Sequence, residues 1–178
     1  MKLISLLYVL LSLVFLFYLS HPNSEFPAPP AQSLQSFEPA DVETPLRRGY
    51  FTNLTRHEVI LHYKNALGFN FLGLRFSPFA LNYPPEEAGG IIRDQTRSSF
   101  LEELVVPFKS SFFINGFIPS EEKDAIVVSG VEWSQKVTVK YVPSHPLPRL
   151  LTGILIVVFI PLLVRFIMIE ILDLKKND

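Results

Sequence analysis

Residues 126–141 read Ile-Val-Val-Ser-Gly-Val-Glu-Trp-Ser-Gln-Lys-Val-Thr-Val-Lys-Tyr, and the alternation in this stretch decides the fold class. From Val131 onward the odd positions are Val131, Trp133, Gln135, Val137, Val139 and Tyr141, and the even ones are Glu132, Ser134, Lys136, Thr138 and Lys140. A period of two puts these sets on opposite faces of a strand, one buried and one wet. Ser129-Gly130 supplies a two-residue turn. In that register Val128 faces Val131 and Ile126 faces Trp133. The chain therefore contains an antiparallel sheet with one solvated face.

Working outward, Ser111 to Phe117 is aromatic and β-prone, with Asn115-Gly116 expected as a turn or bulge. Phe100 to Val106 suits a strand or, through Phe100, Leu101, Leu104 and Val105, a helix, and Pro107 confines a strand there to an edge or an end. Phe71 to Phe76 reads as a strand, resumed at Ala80 to Tyr83. A helix is signalled by Thr55-Arg-His-Glu58, a capping box in which the Thr55 hydroxyl accepts the Glu58 amide and Glu58 reaches back. Leu54 and Val59 stand at the two positions of a hydrophobic staple. Val59, Ile60, Tyr63, Ala66 and Leu67 form an apolar stripe, and Gly68 supplies the stop. Pro84-Pro85-Glu86-Glu87 opens a second helix. Gly89-Gly90 weakens it by roughly 1 kcal/mol per glycine, and it fades near Ser98. These elements predict an α+β domain over residues 47–142. Two helices pack on one face of an antiparallel, meander-like sheet, flanked by an N-terminal and a C-terminal transmembrane helix.

The flanking helices are read from the two ends. Leu3 to Leu19 carries no charge, and Leu150 to Leu172 is broken only by Arg165 and Glu170. Seventeen residues span roughly 26 Å, near the lower limit for a bilayer core of about 30 Å. Residues 1–20 read as an uncleaved signal anchor, because Ser20-His21-Pro22-Asn23 makes a poor cleavage site. In the second span, residues 149–172, Pro161 removes a backbone donor, and Arg165 lies near enough to one end to lift its guanidinium to the interface. Lys2 precedes the first span; Arg165, Lys175 and Lys176 mark the end of the second, and Arg149 opposes them from the other side. Flanking positive charge thus places both termini in the cytoplasm and the central domain outside, in a two-pass protein of the cell membrane. Residues 173–178 form a short cytoplasmic tail. Residues 21–46 contain six prolines and are expected to be an extended linker. Residues 143–148 form a shorter proline-rich joint.

Charge and composition exclude several functions. Between His21 and Arg149 there are 12 Lys/Arg against 14 Asp/Glu, a net of −2, which offers no basic surface for nucleic acid. The chain has no cysteine. Disulfides, cysteine zinc sites, thiol nucleophiles and thioether haem are excluded.

Catalytic motifs are missing. His57 and His62 are five residues apart, whereas H-E-x-x-H needs four to place both on one helical face, so no metal is expected. Glu102 and Glu103 are neighbours on a strand and point to opposite faces; a solvated edge is the expected reading. There is no G-x-S-x-G elbow and no Walker sequence. Arg93 and Arg97, in Arg-Asp-Gln-Thr-Arg, are four residues apart and can face one side of a helix, where they would bind a carboxylate or phosphate. A solvated face paired to Glu86, Glu87 or Glu102 is the competing account. No cofactor is implied.

The block from Asn82 to Pro119, with Asn-Tyr-Pro-Pro-Glu-Glu, Arg-Asp-Gln-Thr-Arg-Ser-Ser-Phe-Leu-Glu-Glu and Ile-Asn-Gly-Phe, resembles uncharacterised bacterial membrane proteins that have two transmembrane helices and an extracytoplasmic domain. The resemblance brings no activity or cofactor with it. The expected function is a non-enzymatic binding or scaffold module of the cell envelope. Its partners would be membrane lipid together with an envelope protein or its own copy. An anion- or small-ligand-sensing domain coupled to the membrane helices, with Arg93 and Arg97 as its anion site, is the alternative, and an envelope hydrolase ranks last.

Overall fold

A computed structural model describes residues 2–71, 73–83 and 99–177. The helices are α1 (Lys2–Ser20), α2 (Arg56–Leu67) and α3 (Pro146–Asn177). The strands are β1 (Ser33–Ser36), β2 (Arg47–Thr52), β3 (Phe69–Phe71), β4 (Leu74–Phe76), β5 (Phe79–Tyr83), β6 (Phe100–Val106), β7 (Ser110–Phe117), β8 (Ile126–Val128), β9 (Val131–Trp133) and β10 (Gln135–Pro143). The chain divides into two compact units, residues 1–22 with 144–178, and residues 23–143.

In the first unit α1 and α3 are long and apolar enough to cross a membrane. They run antiparallel: Tyr8 donates to the Val157 carbonyl, while Leu19 packs where a Gly153 side chain would sit. The expected joint over 143–148 is shorter than its prolines suggest. Pro146 and Pro148 lie in the first turn of α3, where amides have no intrahelical acceptor and proline costs little.

The second unit is α+β. Its main sheet is antiparallel throughout, in the order β1-β2-β10-β7-β6-β5. Only β5-β6-β7 is a meander. The chain leaves β2 on one side of the sheet, passes through α2, and re-enters at the far edge as β5. The expected alternation holds along β10: Gln135, Val137, Val139 and Tyr141 are buried. Those residues join Tyr50 of β2, Ile114 and Phe112 of β7, and Phe100 and Leu104 of β6 in one core, with Val59, Ile60, Tyr63 and Leu67 of α2 buried in the same cluster. Ala66, expected in that stripe, is exposed. The capping box forms as read, with Thr55 and Glu58 each bonding the other's backbone amide. Gly68 ends the helix in an extended conformation rather than a left-handed one, its amide bonding the Lys64 carbonyl at 3.0 Å. The predicted second helix over residues 84–98 lies outside the described residues.

Several expectations are corrected. Residues 23–46 are not a spacer: β1 pairs with β2, and Phe26 packs on the core with its ring 6.3 Å from both Phe112 and Tyr141. Asn115-Gly116 is neither turn nor bulge but runs within β7, paired on both sides. The ring of Phe100 fills the space a Cβ on Gly116 would take, so the glycine answers a close approach, not a bend. The long strand from Val131 breaks at Ser134, whose amide turns to the Asn53 carboxamide at 2.8 Å.

Candidate functional site

Four polar arrangements and one apolar one stand out among the described residues. The first is a staple that ties the proline-rich segment to the sheet. Lys136, on the face of β10 opposite the core, places its ammonium 2.7 Å from both Asp41 and Glu38. The Ser36 hydroxyl donates to Asp41 at 2.6 Å. Burial works against the charged lysine, but the hydrogen bonds and charges of Asp41 and Glu38 outweigh it and hold the ammonium above its ordinary pKa. Asp41 is almost fully enclosed. Replacing Lys136 with methionine leaves that carboxylate buried and unpaired. The expected cost is about 2 kcal/mol in urea unfolding, below the range for a fully buried pair because Glu38 is solvated.

The second arrangement is Arg56 and Glu102. Glu102 is not on a solvated edge: β6 is an interior strand, and Glu102 points to the core face, where it pairs with Arg56 at the start of α2. Arg56 also lies 5.4 Å from the centre of the Phe100 ring. As a residue already ion-paired, Glu102 is committed to holding α2 on the sheet.

The third arrangement is the buried phenols Tyr50 and Tyr63. Burial pushes both above the usual tyrosine range, offset in part by the Arg48 guanidinium. Arg48 itself lies 4.6 Å from the centre of the Phe26 ring. The Tyr63 hydroxyl makes no hydrogen bond among the described residues. An acid whose folded pKa is raised binds a proton that the unfolded chain has already released once the pH exceeds about 10. Lys136 acts in the same direction, since its stabilisation is present below its unfolded pKa and lost as pH rises past its folded one. These groups therefore give stability no slope with pH around neutrality, and stability is expected to fall above about pH 10. Tyr63→Phe should shift stability by no more than about 1 kcal/mol at pH 7, because no bond is lost, and should flatten the alkaline decline. Thermal unfolding between pH 7 and 11 measures both.

The fourth is Arg149 in the first unit, buried to 5% exposure. Its Nε donates to the Leu19 carbonyl at 2.7 Å and a terminal nitrogen donates to the His21 carbonyl at 2.6 Å. Leu19 stands in the last turn of α1, where helix acceptors lack intrahelical donors, and His21 directly follows the helix. Charge counting treats Arg149 only as an exception to the flanking pattern, whereas its structural role is to clasp the two helices.

Among the described residues, those singled out by sequence do not converge. Arg93 and Arg97 lie outside the described residues, so the anion site they would form has no geometry to report. Arg165 and Glu170 are exposed on α3. Glu58 is exposed and occupied by its cap, and the Thr55 amide holds its carboxyl below the usual range. His62 lies 3.0 Å from the Ala28 carbonyl through Nε2. No group of metal-ligating side chains occurs among the described residues.

No protein-family model, curated protein or solved structure matches this chain.

The apolar arrangement is the β8–β9 hairpin, a two-stranded ribbon separate from the main sheet. Its register is the one read from the sequence, Ile126 opposite Trp133 and Val128 opposite Val131. Ser129 and Gly130 both have positive φ, as the tight turn requires. Val131 is 49% exposed, and Val127, on the other face of the ribbon, is 61% exposed. The Trp133 indole N–H finds no acceptor among the described residues. A lone two-stranded ribbon gains little stability in water by itself. Apolar side chains and a tryptophan concentrated on one are the composition of an interaction surface.

Proposed function

We propose that the chain is a membrane-anchored, non-enzymatic binding or scaffold module of the cell envelope. In this reading both termini are cytoplasmic, and the α+β unit stands outside the membrane. The observation that carries the reading is the exposed apolar β8–β9 hairpin, borne by a chain with a candidate membrane span at each end. The polar clusters support it from the other side. Lys136 with Asp41, and Arg56 with Glu102, are ion pairs that join one segment of the fold to another, which is structural work. The partner is an envelope protein or a second copy of the chain, docking apolar surface on the hairpin.

Photo-crosslinking from a reactive residue at Val128, which pairs with Val131 on the same face of the hairpin, followed by purification in mild detergent, tests this. A discrete adduct with one envelope protein, or with a second copy, is expected, and it should vanish in Val131→Asp. Recovery of uncrosslinked monomers alone would contradict the proposal.

A further inference from the structure

The end of the sheet opposite the hairpin carries a second exposed apolar surface. The β6–β7 connection is Pro107-Phe108-Lys109, a turn closed by the Lys109 amide on the Val106 carbonyl at 2.9 Å. Phe108 occupies its left-handed position at φ 59°. Glycine or asparagine suits that position, and a bulky aromatic is disfavoured there. Yet Phe108 is present and 61% exposed. One row inward, Phe79 pairs with Val105, Val105 with Ser111 and Ser111 with Val142. Phe79 is 60% exposed and Val142 41% exposed on the face away from the core. Lys140, two residues before Val142, is exposed as well.

Register fixes which end this is. Ser110 pairs with Pro143, the last residue of β10, so the Phe108 turn projects from the sheet where the chain leaves it. Helix α3 begins at Pro146. Three peptide steps reach at most about 11 Å. Leu150, where the uncharged run of α3 starts, follows after about 6 Å more of helix. If α3 crosses the bilayer, its tether holds this end of the sheet within reach of the headgroup region.

We infer that the Phe108 turn, with Phe79 beside it, docks on the lipid surface. The aromatic side chains enter the interfacial layer, and Lys140 faces anionic headgroups. A disfavoured backbone conformation that presents an aromatic ring to the outside is explained by a ring that is needed there. The inference rests on the reading of α3 as a membrane span.

The absence of cysteine allows single labels without background. Nitroxides are placed at Phe108→Cys, Phe79→Cys, Val127→Cys and Leu155→Cys in the full chain, reconstituted in nanodiscs containing anionic lipid. Accessibility to oxygen and to a water-soluble nickel chelate is then compared. The oxygen-to-nickel ratio at 108 and 79 is expected to be severalfold higher than at 127, and highest at 155. If 155 reads as bilayer while both 108 and 79 match 127, the docking surface is overturned and the membrane span stands. A water-like reading at 155 overturns the span and the docking surface together. Position 79 decides the matter if the label at 108 perturbs folding.

Discussion

Gly116→Ala is expected to destabilise the α+β unit by about 3 kcal/mol, at the upper end of overpacking costs. Gly116 sits inside β7 between Val137 of β10 and Phe100 of β6. The Phe100 ring lies across the space the new methyl would fill. The ring cannot swing away freely, because it is buried in the core with Leu104 and the α2 side chains. It also carries Arg56 over its face, and Arg56 is tied to Glu102. A methyl at 116 therefore strains the core and the ion pair together. Urea unfolding of the full chain in micelles measures the loss. Reducing the ring in a Phe100→Leu, Gly116→Ala double variant should recover part of it, giving a coupling energy of about 1 kcal/mol or more. A Gly116→Ala variant as stable as the parent would show that the packing at Phe100 is not as described.

The second large effect is expected at Arg149. Hydrogen bonds from a charged donor contribute roughly 1.5 to 3 kcal/mol each, and Arg149 makes them to both Leu19 and His21. Arg149→Met keeps the apolar stem and removes both, so the α1–α3 pairing should weaken by about 3 kcal/mol. Arg149→Lys should restore only part, because a compact ammonium does not reproduce the fork that reaches both carbonyls. Nitroxide labels at Leu7 and Leu155, both exposed on their helices, report the result by pulsed electron resonance. A narrow distance distribution is expected in the parent and a broad one in Arg149→Met. An unchanged distribution would mean that the clasp is not what pairs the helices.

These two positions show what was legible in the sequence. The hairpin register, the capping box and both apolar helices follow from local patterns, since each is decided by side chains a few residues apart, whereas residues 100–106 suit helix and strand alike until β5 and β7 pair with them. What escaped depends on contacts distant in sequence. The Asn115-Gly116 pair has the composition of a turn, and only the Phe100 ring on the neighbouring strand shows why glycine is there. Arg149 reads as a flanking charge until the end of α1 is beside it. Glu102 looks solvated until β5 and β7 enclose its strand and Arg56 meets it. The proline-rich residues 21–46 read as a linker for a related reason. Proline content argues for extension, and extension is compatible with a short edge strand such as β1 and with Phe26 reaching the core. A usable signal was present in Arg-Arg-Gly-Tyr-Phe-Thr, residues 47–52, whose β-prone end needs neighbours on both sides. The candidate hairpin is legible as structure but not as a site, because its register does not show that β8 and β9 form a ribbon separate from the main sheet.

The most direct test of the account is the sidedness of the domain. Single cysteines at Val127, in the α+β unit, and at Leu174, near the end of α3, are introduced into the cysteine-free chain and expressed in a bacterial host. Intact cells are treated with a membrane-impermeant maleimide before and after permeabilisation. The account predicts that position 127 is labelled in intact cells and position 174 only after permeabilisation; labelling at 174 but not 127 in intact cells, or equal labelling of both, would contradict it.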